Sequence, residues 1–527
     1  MSSMPTVLDV LARSGDRDVF WDQRGPVTAR QALATVYRLA RALVEHGHGP
    51  GRIAGLLGPS SIRTYLLSIA VELTGGGQVE LPITLPAADQ ARLATDCGVR
   101  LMLADAGTVP GPKLRTFAAV PGGLLTLGPA AYGEDLLAAA QAYPAGPFQP
   151  RGRPGDPDRI NLTGGTTGRA KPVLRRFPAV QPPRATWLVR HMEDGAGPAV
   201  VLKTGRLTGL GRALANAAVT AGGRFITRAD FDPAEITAIL RAHDVTHLAL
   251  SPYELRLLLD HPGLAGVSAP HLRSVITATM GTPPALLERA VGRFGPIIHP
   301  SYGQTEAGHI TWLGPADYAT GAPETRRSCG RPLPGVSVEI RAPHGRPLAP
   351  GRRGEIWVST PTMMDAYWNR PDDTARAVQA GWLCTGDIGF LDPGGLLTVL
   401  GRSGEAIMID GRPVFPSEVD TLLPEHPAVR ESATFDVPAA HGTALHTAIV
   451  TDRGGELRDA DLRELLSSRI ASEHMPASFL VVPHIPLTYA NEPCRTTLRM
   501  WHAQVGSGSM RMAPQGHSSA QSPQPLQ

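Results

Sequence analysis

Short apolar runs alternate with helical stretches along most of this 527-residue chain. The runs at 53–57 and 101–104 are typical of strands, whereas 27–48 and 233–243 carry apolar side chains at helical spacing. Thr28 is suited to cap the first of these helices. Such alternation favours βαβ units on largely parallel sheets, so we expect an α/β fold.

The length of the chain predicts more than one domain, because a single hydrophobic core rarely serves so many residues. The sequence pattern changes near residue 400, where the residues GRSG at 401–404 follow a strand-like run. We therefore predict a large N-terminal domain over 1–400, with parallel-rich sheets and helices, and a small, mobile α+β C-terminal domain over 401–505. Residues 506–527 are rich in Gly, Ser, Gln and Pro, so we expect a disordered tail.

Composition is typical of a soluble globular protein, with 42% hydrophobic and 18% charged residues. The net charge of +3 gives no reason to expect a nucleic-acid or membrane surface as a partner, and the oligomeric state is left open. No signal peptide and no membrane-spanning run is predicted. Cysteines stand far apart, without a CxxC pair, which fits a reducing cytoplasm: Cys97, Cys329, Cys384 and Cys494.

A glycine- and threonine-rich segment is the strongest local signal. Residues 161–171 read NLTGGTTGRAK, with three glycines, three threonines and the terminal Lys171. Glycines let backbone amides approach an anion closely, and the hydroxyls and the ammonium add donors and charge. The spacing is not that of a Walker A loop. The alternative is an ordinary Gly/Thr-rich turn.

Two further clusters carry groups suited to a nucleotide. Residues 301–306 read SYGQTE and follow two isoleucines, so we expect a loop leaving a strand end, where open α/β sheets bind ligands. An aromatic ring, a hydroxyl and a carboxylate there suit a base, a phosphate and Mg²⁺. Residues 381–387 read GWLCTGD, and Asp387 can take both hydroxyls of a ribose. The alternatives are a Tyr-Gly turn with a solvated glutamate and a β-hairpin whose turn carries an aspartate.

The order and spacing of these clusters resemble the core motifs of the adenylate-forming superfamily, that is, AMP-forming acyl-CoA synthetases, adenylation domains and luciferase-like enzymes. Further similar segments are GEIW at 354–357, GRPVFPSE at 411–418 and CGVRLMLA at 97–104. The likeness spans roughly residues 5–500. It implies an enzyme that uses ATP and Mg²⁺ to turn an acid into its AMP anhydride, releases pyrophosphate and passes the acid to an acceptor, with CoA as cofactor where that acceptor is a thiol.

The resemblance also implies which residues bind the nucleotide. The glycine-rich loop would hold the phosphates, Tyr302 would stack on adenine, and Asp387 with Arg402 would bind the ribose. The full implied set is Thr163, Gly164, Gly165, Thr166, Thr167, Gly168, Gly281, Ser301, Tyr302, Gly303, Asp387 and Arg402.

The implied catalytic residues include Lys171, Thr305 at the α-phosphate and Glu306 as the Mg²⁺ ligand. Family members also carry a C-terminal Pro-x-x-x-x-Gly-Lys loop whose lysine reaches the acid and the α-phosphate. Counting from Pro486, Asn491 falls at the glycine and Glu492 at the lysine.

No realignment restores this lysine, because the chain has only three lysines, Lys113, Lys171 and Lys203. Arg495 or Arg499 can supply the charge, although a guanidinium does not replace an ammonium conservatively. We name Arg495 as the catalytic candidate. A second family lysine is replaced by Met408, and the hinge residue by Gly404, a change that should loosen domain rotation.

The segment near the acid pocket also departs from the family. Its usual Pro-Leu-x-His reads LKTGRLTG over 202–209, which places Arg206 near the usual histidine and Lys203 close by. Either both cations face solvent, or the substrate pocket holds a small, strongly anionic or unusual acid.

Three functions remain open at this point. The first is a ligase that activates a carboxylate and transfers it to CoA or another thiol. The second, a role in secondary metabolism, is activation of nitrite and transfer of the nitrosyl group to an amine, as a diazotase or N-nitrosating enzyme would do. The third is a degenerate nucleotide-binding protein that serves a partner complex.

Overall fold

The computed structural model describes residues 4–163, 170–179, 186–195, 197–207, 209–278, 281–319, 323–439, 442–451, 457–487, 493–505 and 510–512. Strands in the first half of the chain are β1 Asp18–Asp22, β2 Gly25–Thr28, β3 Ile53–Leu57, β4 Gly77–Glu80, β5 Val99–Ala104, β6 Leu124–Thr126, β7 Glu134–Asp135, β8 Pro157–Leu162, β9 Pro172–Arg176, β10 Val200–Thr204, β11 Arg224–Arg228 and β12 His247–Leu250. Later strands are β13 Ser274–Thr277, β14 Ile298–Gln304, β15 Gly308–Trp312, β16 Arg331–Pro332, β17 Ser337–Arg341, β18 Gly354–Ser359, β19 Ala366–Tyr367, β20 Val378–Gln379, β21 Trp382–Leu391, β22 Leu397–Arg402, β23 Ile407–Ile409, β24 Arg412–Val414, β25 Val429–Pro438, β26 Thr443–Thr451, β27 Ser478–Val481 and β28 Met510–Met512.

Helices cover much of the sheet surfaces. They are α1 Met4–Ser14, α2 Ala29–Glu45, α3 Ile62–Leu73, α4 Ala87–Asp96, α5 Gly111–Phe117, α6 Leu136–Ala140, α7 Trp187–Glu193, α8 Leu210–Thr220, α9 Pro233–Ala242, α10 Pro252–Asp260, α11 Pro284–Phe294, α12 Pro315–Tyr318, α13 Pro371–Ala377, α14 Pro416–Asp420, α15 Asp459–Ser467 and α16 Arg495–Val505. In the described part of the chain, no helix combines the length and apolar character that crossing a bilayer requires.

Two large sheets form the first part of the molecule. One has nine strands in the order β16-β15-β14-β13-β12-β10-β11-β1-β2, and the other has eight in the order β19-β9-β8-β4-β3-β5-β6-β7. Their central strands run parallel. Every residue of β3, β12 and β13 is buried, as expected of parallel strands covered on both faces. One hydrophobic core joins α1, α2, α3 and α8 to strands of both sheets.

Smaller sheets complete the fold. A five-stranded antiparallel sheet contains β17, β18, β20, β21 and β22, and the chain leaves it through a 3₁₀ turn at Ser403–Glu405. The remainder is α+β, with the hairpin β23–β24, the sheet β25-β26-β27-β28 and the helices α14, α15 and α16. The predicted fold class, α/β with a small α+β part, is confirmed.

Among the described residues, three ion pairs join the large and small parts. Arg256 on α10 contacts Glu431 on β25 at 2.7 Å. Arg327 contacts Glu425 at 3.3 Å, and Arg353 contacts Glu418 at 2.7 Å. In each pair the arginine comes from the large part and the glutamate from the small one. Positive side chains of the large part therefore face negative side chains of the small part across the junction.

Several predicted elements appear at their expected places. Helix α2 begins after Thr28, whose side chain accepts from the amide of Gln31 in a capping box. Other expectations need correction. Strand β22 runs to Arg402, beyond the strand-like run predicted before residue 401, because it continues to pair with β21, and the division into domains at 400/401 stays a prediction. Within the predicted disordered tail, Met510–Met512 form β28, which pairs with β27.

The loop expected to carry residues 302–306 is another correction. Strand β14 continues through Gln304, because its second half pairs with β15 in an antiparallel ladder. The turn therefore begins only at Thr305. Likewise, Asp387 lies within β21, opposite Arg402 on β22, and not in the turn of a hairpin.

Candidate active site

A cavity of about 1540 Å³ opens where the parallel strands β10, β12, β13 and β14 end. This is the edge at which open α/β sheets bind ligands. The predicted site residues that line it are Thr163, Lys171, Lys203, Arg206, Ser301, Gly303, Thr305, Glu306 and Arg402. Segments far apart in sequence thus meet in one wall.

Glu306 is held by a tyrosine that sequence reasoning missed. The Tyr367 hydroxyl donates to Oε1 of Glu306 at 2.9 Å, and the amide of Met364 donates to the Glu306 carbonyl at 2.6 Å. The Lys171 ammonium lies 5.1 Å from the centre of the Tyr367 ring. Burial, and next the Glu306 carboxylate, raise the pKa of Tyr367, so the phenol stays neutral and remains a donor.

Arg175 fixes the turn that carries Thr305. Its guanidinium donates to the Thr305 carbonyl at 3.0 Å and to the Thr362 carbonyl at 2.5 Å. Burial is the main reason that the pKa of Arg175 is lowered, and nearby carboxylates, including Glu306, oppose the shift. A half-buried cation beside Thr305 and Glu306 makes this end of the cavity suited to phosphate oxygens.

Asp387 and Tyr302 contact each other next to the cavity wall. Asp387 is 5% exposed, and its Oδ2 accepts from the Tyr302 hydroxyl and from the Gln304 side-chain amide. Its Oδ1 lies 3.8 Å from Nε of Arg402. Burial raises the pKa of Asp387, while the bond from Tyr302 opposes that shift. The adenine and ribose roles of these residues stay predictions.

The cations of the predicted acid pocket lie in the cavity wall. Lys203 is half-buried at the end of β10 and donates to the Thr204 carbonyl, and burial lowers its pKa. Arg206 is exposed on the cavity side of the following turn. Gly211 lets α8 start against this turn, since a Cβ there would lie 2.4 Å from the Arg206 carbonyl oxygen. Both cations can face an acid bound in the cavity.

Arg495 lies outside the cavity in this arrangement. Its Nη1 is 3.6 Å from Oε2 of Glu405, and its Nε donates to the Thr434 carbonyl at 3.2 Å. Arg499 pairs with Asp436. Of the described residues after 400, those that line the cavity are 402–404. The catalytic role of Arg495 therefore stays a prediction that requires the small domain to move.

The other predicted site residues are not among the described residues that line the cavity. Gly164, Gly165, Thr166, Thr167 and Gly168 lie outside the described residues, as do Asn491 and Glu492. Gly281 is described and exposed, at the approach to α11. No group of three or more His, Cys, Asp or Glu side chains suited to a metal occurs where the structure is described, and the Mg²⁺ role of Glu306 stays a prediction.

The family model of AMP-binding enzymes matches residues 8–368. The chain belongs to this family. It is an adenylate-forming, AMP-forming ligase, and the resemblance predicted from its motifs is confirmed.

Curated relatives cover nearly the whole chain. The medium/long-chain-fatty-acid–CoA ligase FadD8 of Mycobacterium tuberculosis is 30% identical over 94% of this chain and 89% of that protein. The fatty acid–[acyl-carrier-protein] ligase ScoC of Streptomyces coeruleorubidus is 28% identical over 88% of this chain and 89% of its own.

Among solved structures, the amide bond synthetase McbA from Marinactinospora thermotolerans superposes with a TM-score of 0.83. It is 30% identical to this chain, covering 95% of it and all of McbA. The two-part architecture is therefore that of a known adenylate-forming enzyme.

Proposed function

We propose that this enzyme activates an organic carboxylic acid as its acyl-adenylate and transfers the acyl group to a thiol. A carboxylate oxygen attacks the α-phosphorus of ATP, and the bond to the β-phosphate oxygen breaks to release pyrophosphate. The acceptor thiolate then attacks the acyl carbon, and AMP leaves with the electron pair of the cleaved bond. Both steps depend on positioning and charge neutralisation.

The cluster of Lys171, Tyr367 and Glu306 is the observation that carries this proposal. A carboxylate oriented by a neutral phenol suits a hard cation such as Mg²⁺, which prefers oxygen ligands and would neutralise phosphate charge. Lys171 lies over the same ring and provides a second positive charge. Thr305 adjoins Glu306 in the cavity wall and can donate to the α-phosphate.

The remaining predicted residues extend this assignment. Thr163 and the glycine-rich loop would bind the phosphates, and Ser301 to Gly303 with Gly281 would frame adenine. Asp387 would bind the ribose together with Arg402. To accept from a ribose hydroxyl, the Asp387 carboxylate must give up its hydrogen bond from Tyr302 or from Gln304.

The size of the cavity supports an organic acid as the substrate. Nitrite has three heavy atoms, and a cavity of about 1540 Å³ has room for a much larger molecule beside ATP. FadD8 and ScoC are named for carboxylic acids. The nitrite alternative has no comparable support, and the presence of Lys171, Thr305 and Glu306 in one cavity wall does not favour a degenerate protein.

An amine is a second candidate acceptor. The observation that favours it is the similarity to McbA, named as an amide bond synthetase, over 95% of this chain. Here the amine nitrogen would attack the acyl carbon, AMP would leave, and the ammonium proton would pass to solvent. The first half-reaction is the same for both acceptors.

The test is a pyrophosphate-release assay with the full chain, ATP, Mg²⁺ and a panel of carboxylic acids. Pyrophosphate and AMP that appear with a carboxylate, followed by a thioester on adding CoA, support the proposal. An amide formed without CoA would support the amine acceptor instead. Release with nitrite and an aryl amine, but with no carboxylate, would overturn the carboxylate assignment. ATP binding without any release would indicate a degenerate protein.

A further inference from the structure

The cavity extends along one face of α8. Arg212, Asn216 and Thr220 recur at intervals of four residues on this helix, and all three line the cavity. From Leu210 to Thr220 a helix advances about 15 Å, at roughly 1.5 Å per residue. We call the part of the cavity along α8 the branch, and its length suffices for the body of an acid.

Two arginines meet in the wall of this branch. Arg212 donates to Oε2 of Glu72 at 2.5 Å and to the Ser68 hydroxyl at 2.5 Å. Arg159 on β8 makes the same two contacts at 3.4 Å. The two guanidiniums thus share one carboxylate oxygen and one hydroxyl of α3.

These arginines are buried in the protein yet line the cavity. The side chains of Arg159 and Arg212 are 13% and 11% exposed, whereas Glu72 is 2% exposed. Each guanidinium has five N–H donors, so the contacts to Glu72 and Ser68 do not exhaust either one. Charged donors with remaining capacity therefore border space that a substrate can enter.

Two more carboxyl groups lie near the two guanidiniums. Glu80 lines the same wall, and burial raises its pKa against the opposing effect of three arginines. Burial, with the Glu72 charge next, raises the pKa of Asp158 to about 6. Burial therefore disfavours the charged form of both carboxyl groups.

We propose that Arg159 and Arg212 bind a second carboxylate at the far end of the acid, so that the substrate is a dicarboxylic acid. This inference rests on the proposed function and narrows its substrate class. The reacting carboxylate lies toward Arg206 and Thr305, and the distal carboxylate takes bidentate contacts from the arginine pair. A plain alkyl chain would instead displace water from the two guanidiniums without offering them a hydrogen-bond acceptor, which is unfavourable.

The test compares straight-chain dicarboxylic acids with monocarboxylic acids of equal carbon number in the pyrophosphate assay. We expect kcat/KM to favour the dicarboxylic acid at the length that spans the branch. Arg212→Met and Arg159→Met remove the charge and keep most of the side-chain volume. Each of these two variants should lower kcat/KM for the dicarboxylic acid about 100-fold. The kcat/KM for the monocarboxylic acid should change much less.

Two further variants separate substrate binding from a purely structural role. Arg92→Met is the matched control, because Arg92 pairs with Asp89 at the exposed rim of the cavity and should leave the preference unchanged. Glu72→Gln removes the competing carboxylate of the protein. It should lower KM for the dicarboxylic acid, whereas an ion pair with only a structural role would give no selective improvement.

Failure of this inference is distinguishable from failure of the proposed function. Equal or better turnover of monocarboxylic acids, with Arg212→Met affecting both classes equally, overturns the dicarboxylate assignment and leaves carboxylate activation intact. No pyrophosphate with any acid overturns the proposed function itself. If Arg212→Met does not fold, Arg212→Lys keeps the charge without the fork and should show a smaller loss confined to dicarboxylic acids.

Discussion

Tyr367 donates its hydroxyl hydrogen to Oε1 of Glu306 across 2.9 Å, although the two residues belong to different sheets. Tyr367 lies on β19 beside β9, whereas Glu306 follows β14. The hydrogen bond therefore couples the two large sheets at the predicted Mg²⁺ ligand. A carboxylate fixed in this way needs less reorganisation when it binds a cation.

Tyr367→Phe should weaken metal use without unfolding the protein. Loss of a hydrogen-bond partner of a metal ligand typically costs about 10- to 100-fold in affinity or activity. We expect the Mg²⁺ concentration for half-maximal pyrophosphate release to rise by at least about tenfold. Tyr132→Phe, at an exposed ring, is the control. An unchanged Mg²⁺ dependence would show that the contact does not orient Glu306.

Asp387→Ala and Glu306→Ala should both abolish pyrophosphate release but should differ in stability. Asp387 is buried, so its loss removes the acceptor of the Tyr302 hydroxyl and one of the two acceptors of the Gln304 amide, at about 1–3 kcal/mol. Glu306 lines the cavity, where water can replace it. Urea unfolding measures the difference. Equal free energies of unfolding for the two variants would contradict the burial argument.

Elements with strong local signals were predictable from the sequence. Thr28 and Gln31 form the capping box that starts α2, and the apolar run at 53–57 is β3. Such features depend on neighbours a few residues apart, which periodicity and capping rules describe directly. The motif residues Lys171, Thr305 and Glu306 all line one cavity, while their catalytic roles stay predictions.

Features that depend on distant strands were not predictable in this way. Strand β14 continues past Tyr302 because β15 pairs with it, which no local pattern indicated. Arg175 on β9 contacts Thr305, and Tyr367 on β19 contacts Glu306, because the edge formed by β9 and β19 lies against the turn that follows β14 of the other large sheet. Since a single sequence carries no direct signal of such pairings, the residues that support a site are harder to identify than those in its motifs.

Arg495→Ala tests whether arginine replaces the family lysine. We expect the adenylation step to slow by about 100-fold, as for loss of one charged donor to a transition state. Thioester formation from a supplied acyl-adenylate should be nearly unchanged. Arg499→Ala is the comparison, because Arg499 pairs with Asp436 nearby. An unaffected adenylation rate in Arg495→Ala would rule out this role, and a larger effect of Arg499→Ala would transfer it to Arg499.

His299 should make folding stability depend on pH. It stacks on Trp312, and its Nδ1 lies 2.9 Å from the Leu313 carbonyl oxygen. Burial lowers its pKa from 6.5 to about 4, so between these values the unfolded chain binds a proton that the native protein does not. The contribution of neutral His299 to the free energy of unfolding is complete above pH 6.5. It is lost as pH falls toward 4, at up to about 1.4 kcal/mol per pH unit.

The variant His299→Asn retains a donor near the Leu313 carbonyl and removes the titrating ring. Its free energy of unfolding should fall less steeply than that of the natural protein between pH 6.5 and 4.5. His271→Asn, at an exposed histidine, should keep the original slope. Identical slopes in all three proteins would mean that His299 is protonated equally in the native and unfolded states.

Arg256 and Glu431 should restrain the small domain on the large one. Their ion pair measures 2.7 Å, with side chains 9% and 20% exposed, so solvent screens it weakly. Burial raises the pKa of Glu431, and Arg256 is the first of the groups that oppose this shift. Glu431→Gln removes the charge and leaves a buried guanidinium without its counter-ion, which is destabilising to the docked arrangement.

Glu431→Gln should therefore expose the connection at Ser403–Glu405 and increase its cleavage in limited proteolysis at least severalfold. Arg326→Gln is the control, because Arg326 and Glu288 form a more exposed pair within the large domain. If adenylation requires Arg495 to leave Glu405, the same variant should also speed pyrophosphate release, since undocking then becomes easier. Faster proteolysis with slower pyrophosphate release would show that undocking does not speed adenylation. Unchanged proteolysis would show that the pairs Arg327–Glu425 and Arg353–Glu418 suffice to hold the small domain on the large one.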